Sequence, residues 1–414
     1  MRDPKCLYFN ICGGCSTQHL PYEVQLENKK SRLAKEIGFE DIKVFSDNEW
    51  NYRNRMDMVF TPEGLGFREG GKWWKLIRVE ECVISNQRLN ELNKEICAYF
   101  GPGFDPFNVK ERKGTFKYAV IRTPQNDSCI SFVLNKDSDR LDDAVAKIKS
   151  YAQNSTANNI LITLNGENSS QSTEEKCEIV KGSDFLEEKI MGKTLRYSAQ
   201  GFFQNNSVMA EHMHEYVHEL LKVYSNCGAN SRASGGNNPA NNPANNPPHN
   251  TPHNPPHNPP HNPPHNPNWN HLLDLYGGVG AFGIVNAGLF HKVTSVESFE
   301  GCTIAAKNNI ELNGVKNMEA ICMDAKRLKQ VELPSKDLYV ITDPPRTGMS
   351  EETVIELKKL KPKVMIYISC NVEQLGKDLP KFKDYKIKSA AIFDLFPQTN
   401  HMESVIELAL SGKQ

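Results

Sequence analysis

The chain contains the stretch Leu272-Leu273-Asp274-Leu275-Tyr276-Gly277-Gly278-Val279-Gly280-Ala281-Phe282-Gly283, in which an apolar run leads into a glycine-rich turn. This pattern is typical of a strand, a tight turn and the start of a helix, and the next predicted strand ends in an acid, Glu297. Glycines let the backbone approach a cofactor closely, and an acid after the second strand can hydrogen-bond a ribose. The pattern therefore predicts a cofactor site, but it does not distinguish a nucleotide from S-adenosylmethionine.

Strand patterns alternate with helix patterns in the second half of the chain. The predicted strands cover residues 271–276, 292–297, 338–342, 363–369, 386–395 and 404–410, and a predicted helix at about 206–224 precedes them. This alternation predicts an α/β fold with a Rossmann-like, doubly wound sheet. Before residue 200, short strand patterns are separated by turn signals such as Glu63-Gly64 and Gly70-Gly71, which predict a mixed α+β domain.

The chain is predicted to have three units: an N-terminal segment (1–45), a central α+β domain (46–197) and the doubly wound domain (198–414). An Asn-, Pro- and His-rich insertion at about 228–268 interrupts the third unit and holds 12 of the 24 prolines. Such a composition cannot bury enough apolar surface to fold, so the insertion is predicted to be disordered. Its five evenly spaced histidines could bind a transition metal loosely, although a solvated repeat is the simpler interpretation.

Composition excludes several classes of protein. With 49 Lys and Arg against 50 Asp and Glu, the net charge of -1 argues against a protein that coats nucleic acid through bulk charge. No apolar run approaches the roughly 20 residues of a membrane-spanning helix, and no signal sequence is visible, so we expect a cytoplasmic protein without membrane contact. Eleven unevenly spaced cysteines fit a reducing compartment, where cysteines bind metal, catalyse or pack.

Three later motifs place reactive side chains at predicted strand ends. Asp343-Pro344-Pro345-Arg346 follows one strand as a stiff turn, Cys370 follows the next, and His401 and Glu403 precede the last. Strand ends at the ligand edge of a doubly wound sheet are where active sites form. Taken singly, Cys370 would more often be a packing residue and Glu403 a solvated acid.

In this order, the motifs resemble the RNA uracil-5-methyltransferase family across nearly the whole chain apart from the insertion. The resemblance implies a class I methyltransferase domain, with Cys370 as nucleophile and Glu403 as base. It also implies a central domain that binds RNA. The S-adenosylmethionine site or the target base would then be contacted by six residues, namely Gln204, Tyr276, Ala281, Glu297, Asp324 and Asp343.

Four cysteines near the N-terminus form a possible metal site. Cys6, Cys12 and Cys15 have C-x5-C-x2-C spacing, and Cys82 lies much further along the chain. Four thiolates can hold either an iron-sulfur cluster or structural zinc, and the residues alone favour neither. The set resembles the iron-sulfur signature of the family's ribosomal-RNA branch, which implies a 4Fe–4S cluster in the N-terminal segment.

The resemblance implies an enzyme that makes 5-methyluridine in RNA, with 23S ribosomal RNA as the preferred substrate. The T-loop of transfer RNA is the alternative substrate. An aminomethyltransferase acting on an exocyclic nitrogen would use the Asp343-Pro344-Pro345-Arg346 turn without a cysteine. A non-catalytic RNA-binding protein that keeps the fold is a third possibility, and we expect a monomer.

Basic residues near two tryptophans could contact RNA. Six Lys and Arg lie between Arg53 and Arg78, with Trp73 and Trp74 among them, and a second basic group lies at residues 110–122. Aromatic rings beside cations can stack on unpaired bases. Equally, the tryptophans could be core residues of a hairpin whose charges are only solvated.

Overall fold

The computed structural model describes residues 1–102, 104–230 and 270–412. The α-helices of this part are α1 (Tyr22–Ile37), α2 (Gln87–Phe100), α3 (Leu141–Asn154), α4 (Ser207–Asn230), α5 (Ala281–Asn286), α6 (Glu300–Leu312), α7 (Glu351–Leu360) and α8 (Val372–Asp378). Short 3-10 helices cover Ala287–Leu289, Ala325–Gln330 and Leu379–Lys381. None of these helices is both long and apolar enough to cross a membrane.

The strands form two large sheets and one hairpin. The first ten are β1 (Ile42–Phe45), β2 (Arg55–Thr61), β3 (Gly64–Glu69), β4 (Lys72–Arg78), β5 (Phe116–Arg122), β6 (Cys129–Asn135), β7 (Asn159–Asn165), β8 (Cys177–Lys181), β9 (Phe185–Ile190) and β10 (Lys193–Ser198). The others are β11 (His271–Leu275), β12 (Lys292–Glu297), β13 (Met318–Cys322), β14 (Leu338–Thr342), β15 (Val364–Ser369), β16 (Tyr385–Phe393) and β17 (Glu403–Leu410).

The larger sheet has eight strands in the order β1-β16-β17-β15-β14-β11-β12-β13. Its central strands β12, β11, β14 and β15 run parallel, whereas β17 pairs antiparallel with both β15 and β16. The predicted doubly wound sheet is confirmed, and all six predicted strands are present. Its fourth strand in chain order, β13, was not predicted because it is a short edge strand with only one buried residue.

The order of strands reverses at β11. The chain goes from β11 to β12 on one side, and later returns to β14 on the other side. Such a switch point leaves a crevice at the carboxyl ends of the two strands, where ligands bind in open α/β sheets. Strands β11, β14 and β15 are buried along their whole length, which explains their mainly apolar sequences.

The second large sheet belongs to the central region and has the order β4-β3-β2-β5-β6-β7-β8. The predicted turns at 63–64 and 70–71 connect β2 to β3 and β3 to β4. The buried faces of α2 and α3 pack on this sheet through residues such as Leu92 and Ile148. The region is a mixed α+β structure, as predicted.

The N-terminal segment joins the larger sheet. Strand β1 pairs parallel with β16, so Ile42 lies opposite Ala390. Leu33 of α1 is buried in the same hydrophobic cluster as Leu375 of α8. The division into three units stays a prediction. From residue 231 to residue 269, the predicted insertion lies outside the described residues.

Candidate active site

A cavity of about 1220 Å³ opens beside the carboxyl ends of β11, β12, β14 and β15. It brings together seven residues of the predicted site, namely Gln204, Tyr276, Glu297, Asp324, Asp343, Cys370 and Glu403. Ala281 is not among the lining residues. It begins α5 and packs against the hydrophobic core, while Gly278 and Val279 of the same turn face the cavity. The contact predicted for Ala281 stays a prediction.

The glycine-rich turn is held by buried polar groups. Asp274 accepts hydrogen bonds from Gly283 N at 3.1 Å and Ser295 Oγ at 3.4 Å. A Cβ at Gly277 would lie 2.0 Å from Ser295 Oγ, so a larger residue fits only if the buried Ser295 side chain moves. Burial raises the pKa of Asp274 to about 7. The turn is therefore fixed by close packing against β12.

Glu297 ends β12 at the edge of the cavity. Its carboxylate accepts hydrogen bonds from Gly278 N at 3.1 Å and Phe299 N at 2.7 Å, which fix its position beside the turn. Asp324 lies in the next loop, where its carboxylate caps a 3-10 helix by accepting from Lys326 N at 2.9 Å. Two acids with fixed backbone partners, one at the end of β12 and one in the loop after β13, can accept hydrogen bonds from hydroxyl and amino groups of a cofactor.

Cys370 and Glu403 meet at the other end of the cavity. Ser369 of β15 pairs with Ser404 of β17 in an antiparallel ladder. Cys370 follows Ser369 and Glu403 precedes Ser404, so both residues lie at the same edge of the sheet. Burial raises the pKa of the Cys370 thiol, and the charges of Glu403 and Asp343 raise it further. Glu403 is only 5% exposed, and burial raises its pKa well above the usual range of a carboxyl group.

Arg346 lies beside both groups, although sequence analysis did not assign it to the site. Its guanidinium opposes the rise in the pKa of the Cys370 thiol, and its charge also lowers the pKa of Glu403. It contacts His401 Nδ1 at 3.3 Å through Nη2. The available signal was its position three residues after Asp343, on the same stiff turn. Burial raises the pKa of Asp343 to about 7.

Two residues before α4 complete the cavity. The side-chain oxygen of Gln204 is buried and has no hydrogen-bond partner in the described part of the chain. Phe202 also lines the cavity and is largely exposed. An unpaired amide oxygen is available to a donor on a bound ring, and an exposed aromatic ring at the rim is available for stacking.

The four N-terminal cysteines border a second cavity of about 540 Å³, which shares Gly14 and Arg53 with the first. Burial raises the pKa values of Cys6, Cys12 and Cys15, the last to about 12, and proximity to Cys82 raises them further. As placed, however, no group of three or more His, Cys, Asp or Glu side chains in the described ranges could hold a metal ion. The four predicted thiols therefore line one cavity, but their positions do not form a metal site in the described residues.

The family model for tRNA (uracil-5-)-methyltransferase matches residues 21–227 and 265–410 of the chain. The tRNA (uracil(54)-C(5))-methyltransferase of Pyrococcus horikoshii is 30% identical over 98% of this chain and 85% of the relative. An uncharacterized RNA methyltransferase of Caldanaerobacter subterraneus is also 30% identical, over 97% of this chain and 83% of the relative.

A solved structure is similar over almost the whole chain. It is the crystal structure of Pyrococcus abyssi tRNA (uracil-54, C5)-methyltransferase in complex with S-adenosyl-L-homocysteine. The two chains have 27% sequence identity and a TM-score of 0.72, over 96% of this chain and 86% of the other.

Proposed function

The chain belongs to the tRNA (uracil-5-)-methyltransferase family and is an S-adenosylmethionine-dependent RNA methyltransferase, and from this premise we propose that it methylates C5 of uridine 54 in transfer RNA. One observation supports the proposal most strongly. Cys370 and Glu403 line the same cavity as Glu297 and Asp324, the two acids beside the predicted cofactor site. The choice of RNA rests on the relatives whose names specify uracil 54 of tRNA. The sequence alone favours 23S ribosomal RNA as the substrate. These relatives instead favour the alternative, transfer RNA.

Cys370 supplies the nucleophile in this proposal. The C5 carbon of uracil is too weak a nucleophile to take a methyl group directly, so the ring must first be activated. The Cys370 thiolate adds to C6 and forms a carbon–sulfur bond, and the ring electrons move to C5 and O4. Arg346 helps this step because a cation beside the sulfur favours the thiolate.

Glu403 completes the reaction as the base. S-adenosylmethionine supplies the methyl group, which C5 takes up as the carbon–sulfur bond of the sulfonium breaks. C5 then carries a methyl group and a proton. Glu403 removes that proton, and the electron pair restores the ring double bond as the Cys370 sulfur leaves C6. Its buried position, opposite the thiol, suits a base that acts on an atom held between them.

The remaining lining residues are proposed to orient the two substrates. Glu297 and Asp324 accept hydrogen bonds from the methyl donor at the glycine-rich turn. Gln204 offers its unpaired oxygen to the N3 proton of uracil. Because a stacked base hides C6, the uridine must leave its stack to enter the cavity, and the exposed ring of Phe202 can stack on a base at the rim.

We also propose that Cys6, Cys12, Cys15 and Cys82 hold a 4Fe–4S cluster. All four thiols border one cavity, and thiolate is the ligand that such clusters require. Iron and sulfide analysis of protein purified without oxygen tests this proposal. Cys97→Ser is the control variant and should keep its iron and sulfide, because Cys97 lies outside that cavity. Stoichiometric zinc, or no metal, would contradict the cluster.

The substrate is tested with purified protein and tritiated S-adenosylmethionine. Matched RNAs are a transfer-RNA transcript, the same transcript with cytidine at position 54, and a 23S ribosomal RNA transcript. We expect 5-methyluridine only in the first, identified by nucleoside mass spectrometry. Methylation of the 23S transcript alone would support the ribosomal alternative, and methyl groups on an exocyclic nitrogen would contradict uracil C5 chemistry.

A further inference from the structure

Two tryptophans lie exposed side by side at the edge of the central sheet. Trp73 and Trp74 are on the edge strand β4, are 60% and 42% exposed, and have ring centroids 5.8 Å apart. Both rings line a surface cavity of about 640 Å³. They are therefore not core residues, and the free energy of leaving two large rings in water suggests a function at this surface.

The surface around the two rings is basic. Lys110 Nζ lies 5.1 Å from the centre of the Trp74 ring, and Lys110, Arg112 and Lys113 are exposed without an ion-pair partner in the residues that the structure describes. The nearby acid Glu69 is already paired with Lys72 and, at 2.5 Å, with Lys75. Arg112 also lines the cavity, although Glu167 lies there too. Cations beside exposed rings complement the phosphates that flank stacked bases.

This surface is connected to the active site. The active-site cavity and the cysteine-lined cavity share Gly14 and Arg53, and the cysteine-lined cavity and the tryptophan cavity share Arg68. Hydrogen bonds also link these segments, because Gly13 N donates to Arg68 O at 3.3 Å and the Arg68 side chain donates to Trp73 O. The tryptophan cavity and the active-site cavity are therefore both neighbours of the cysteine-lined cavity.

We propose that Trp73 and Trp74 form a stacking surface for unpaired nucleotides of the same RNA whose uridine enters the active site. The inference rests on the proposed function. The rings hold bases remote from the target, and Lys110 and Arg112 bind the phosphates between them. The surface therefore adds affinity for a large folded RNA. A short stem-loop does not extend to this surface and gains no such affinity.

The test compares Kd for a full-length transfer-RNA transcript with Kd for a short stem-loop carrying the target uridine. For Trp73→Ala/Trp74→Ala we expect Kd and KM for the full-length RNA to rise by about tenfold or more, with kcat changed by less than about twofold. Affinity for the short stem-loop should fall much less. Ile179→Ala is the matched control, because Ile179 is an exposed apolar residue on β8, the opposite edge strand of the same sheet.

A second readout separates stacking from a structural role. Trp73→Phe/Trp74→Phe keeps aromatic rings, so most of the RNA affinity should return, while the quenching of tryptophan fluorescence by RNA should decrease. Unchanged affinity of the Ala variant for the long RNA, or an equal loss on the short stem-loop, would overturn the inference and favour a protein partner at this surface. Failure of the wild-type protein to methylate any RNA would instead overturn the proposed function.

Discussion

Cys370 and Glu403 occupy opposite positions at the end of the β15–β17 ladder, one residue beyond the paired Ser369 and Ser404. Opposite residues of an antiparallel pair project to the same face of the sheet. The side chains of Cys370 and Glu403 therefore reach the same cavity from neighbouring strands. Ser404 Oγ also donates to Ser369 O at 3.1 Å, which ties the two strands together at this point.

Replacement of Cys370 with Ala should abolish methylation, with a rate loss of about 10³-fold or more, because no other thiol of the cavity adjoins Glu403. An RNA containing 5-fluorouridine should trap the wild-type protein as a covalent complex, visible by gel shift under denaturing conditions, and should not trap the variant. S-adenosylmethionine binding, measured by calorimetry, should persist. Cys177→Ala, on β8 of the other sheet, is the control. Full activity of the Cys370 variant would exclude the covalent route.

Glu403→Gln should give a different defect from the cysteine variant. The amide cannot remove the C5 proton, so addition and methyl transfer proceed but release of the product stops. We expect a methylated protein–RNA adduct to accumulate with ordinary uridine substrate, detected by mass spectrometry. Glu407→Gln is the matched control, since Glu407 is a buried acid on the same strand outside the cavity. Absence of any adduct, together with lost activity, would argue that Glu403 acts before methyl transfer.

Much of this arrangement could be predicted from sequence, for physical reasons. Buried parallel strands are continuous apolar runs, so β11, β14 and β15 were recognisable without the structure. Residues at the ends of such strands must meet at one edge, which is why Asp343 and Cys370 could be placed in one site.

Other features had no local signal. Strand β1 pairs with β16 nearly 350 residues away, as Ile42 with Ala390, and only tertiary packing specifies that contact. The approach of Arg346 to Cys370 in one cavity likewise depends on how two loops meet. Whether Trp73 was a core or a surface residue could not be read from a hairpin pattern, because β4 proved to be an edge strand with most of its residues exposed.

Activity should rise with pH across the neutral and mildly alkaline range. In the proposed mechanism Cys370 acts as the thiolate and Glu403 as the carboxylate, and the pKa values of both are raised, so a higher pH increases the active form of each. Arg346 opposes the rise in the Cys370 pKa, so Arg346→Gln should move the pH profile of kcat/KM upward by about 0.5–1 pH unit. Arg346→Lys should give a smaller shift. A profile that falls with pH, or an unshifted one in the Gln variant, would contradict these roles.

Glu188 should make the protein less stable as the pH rises from about 4.5 to about 7. Burial raises its pKa from 4.5 to about 7, so in this range the unfolded chain ionises while the folded chain does not. Below the range both states are protonated, and above it the penalty is constant. Glu188→Gln should therefore gain up to about 3 kcal/mol relative to wild type across this range, as measured by urea unfolding. A difference that does not vary with pH would show that Glu188 is not buried as an acid.

Lys29 connects α1 to the segment that leads to Glu403. Its ammonium lies 2.7 Å from Asp394 Oδ1 and donates to Phe396 O at 3.2 Å, and the two side chains are 4% and 0% exposed. Burial lowers the pKa of Lys29, and the Asp394 charge opposes that effect. Lys29→Met leaves a buried carboxylate without its cation, which should cost about 3–5 kcal/mol of unfolding free energy.

The same change should slow catalysis, because Asp394 begins the segment that ends at Glu403, and Lys29 fixes it. In conditions where the Met variant remains folded by circular dichroism, we expect kcat to fall while the affinity for S-adenosylmethionine is retained. Lys35→Met, on the exposed face of the same helix, is the matched control and should change stability by less than about 0.5 kcal/mol. Addition of Asp394→Asn to Lys29→Met should recover part of the lost stability by removing the unpaired charge. Equal stability of the Lys29 variant and the wild type would mean that the Asp394 carboxylate does not depend on the Lys29 ammonium.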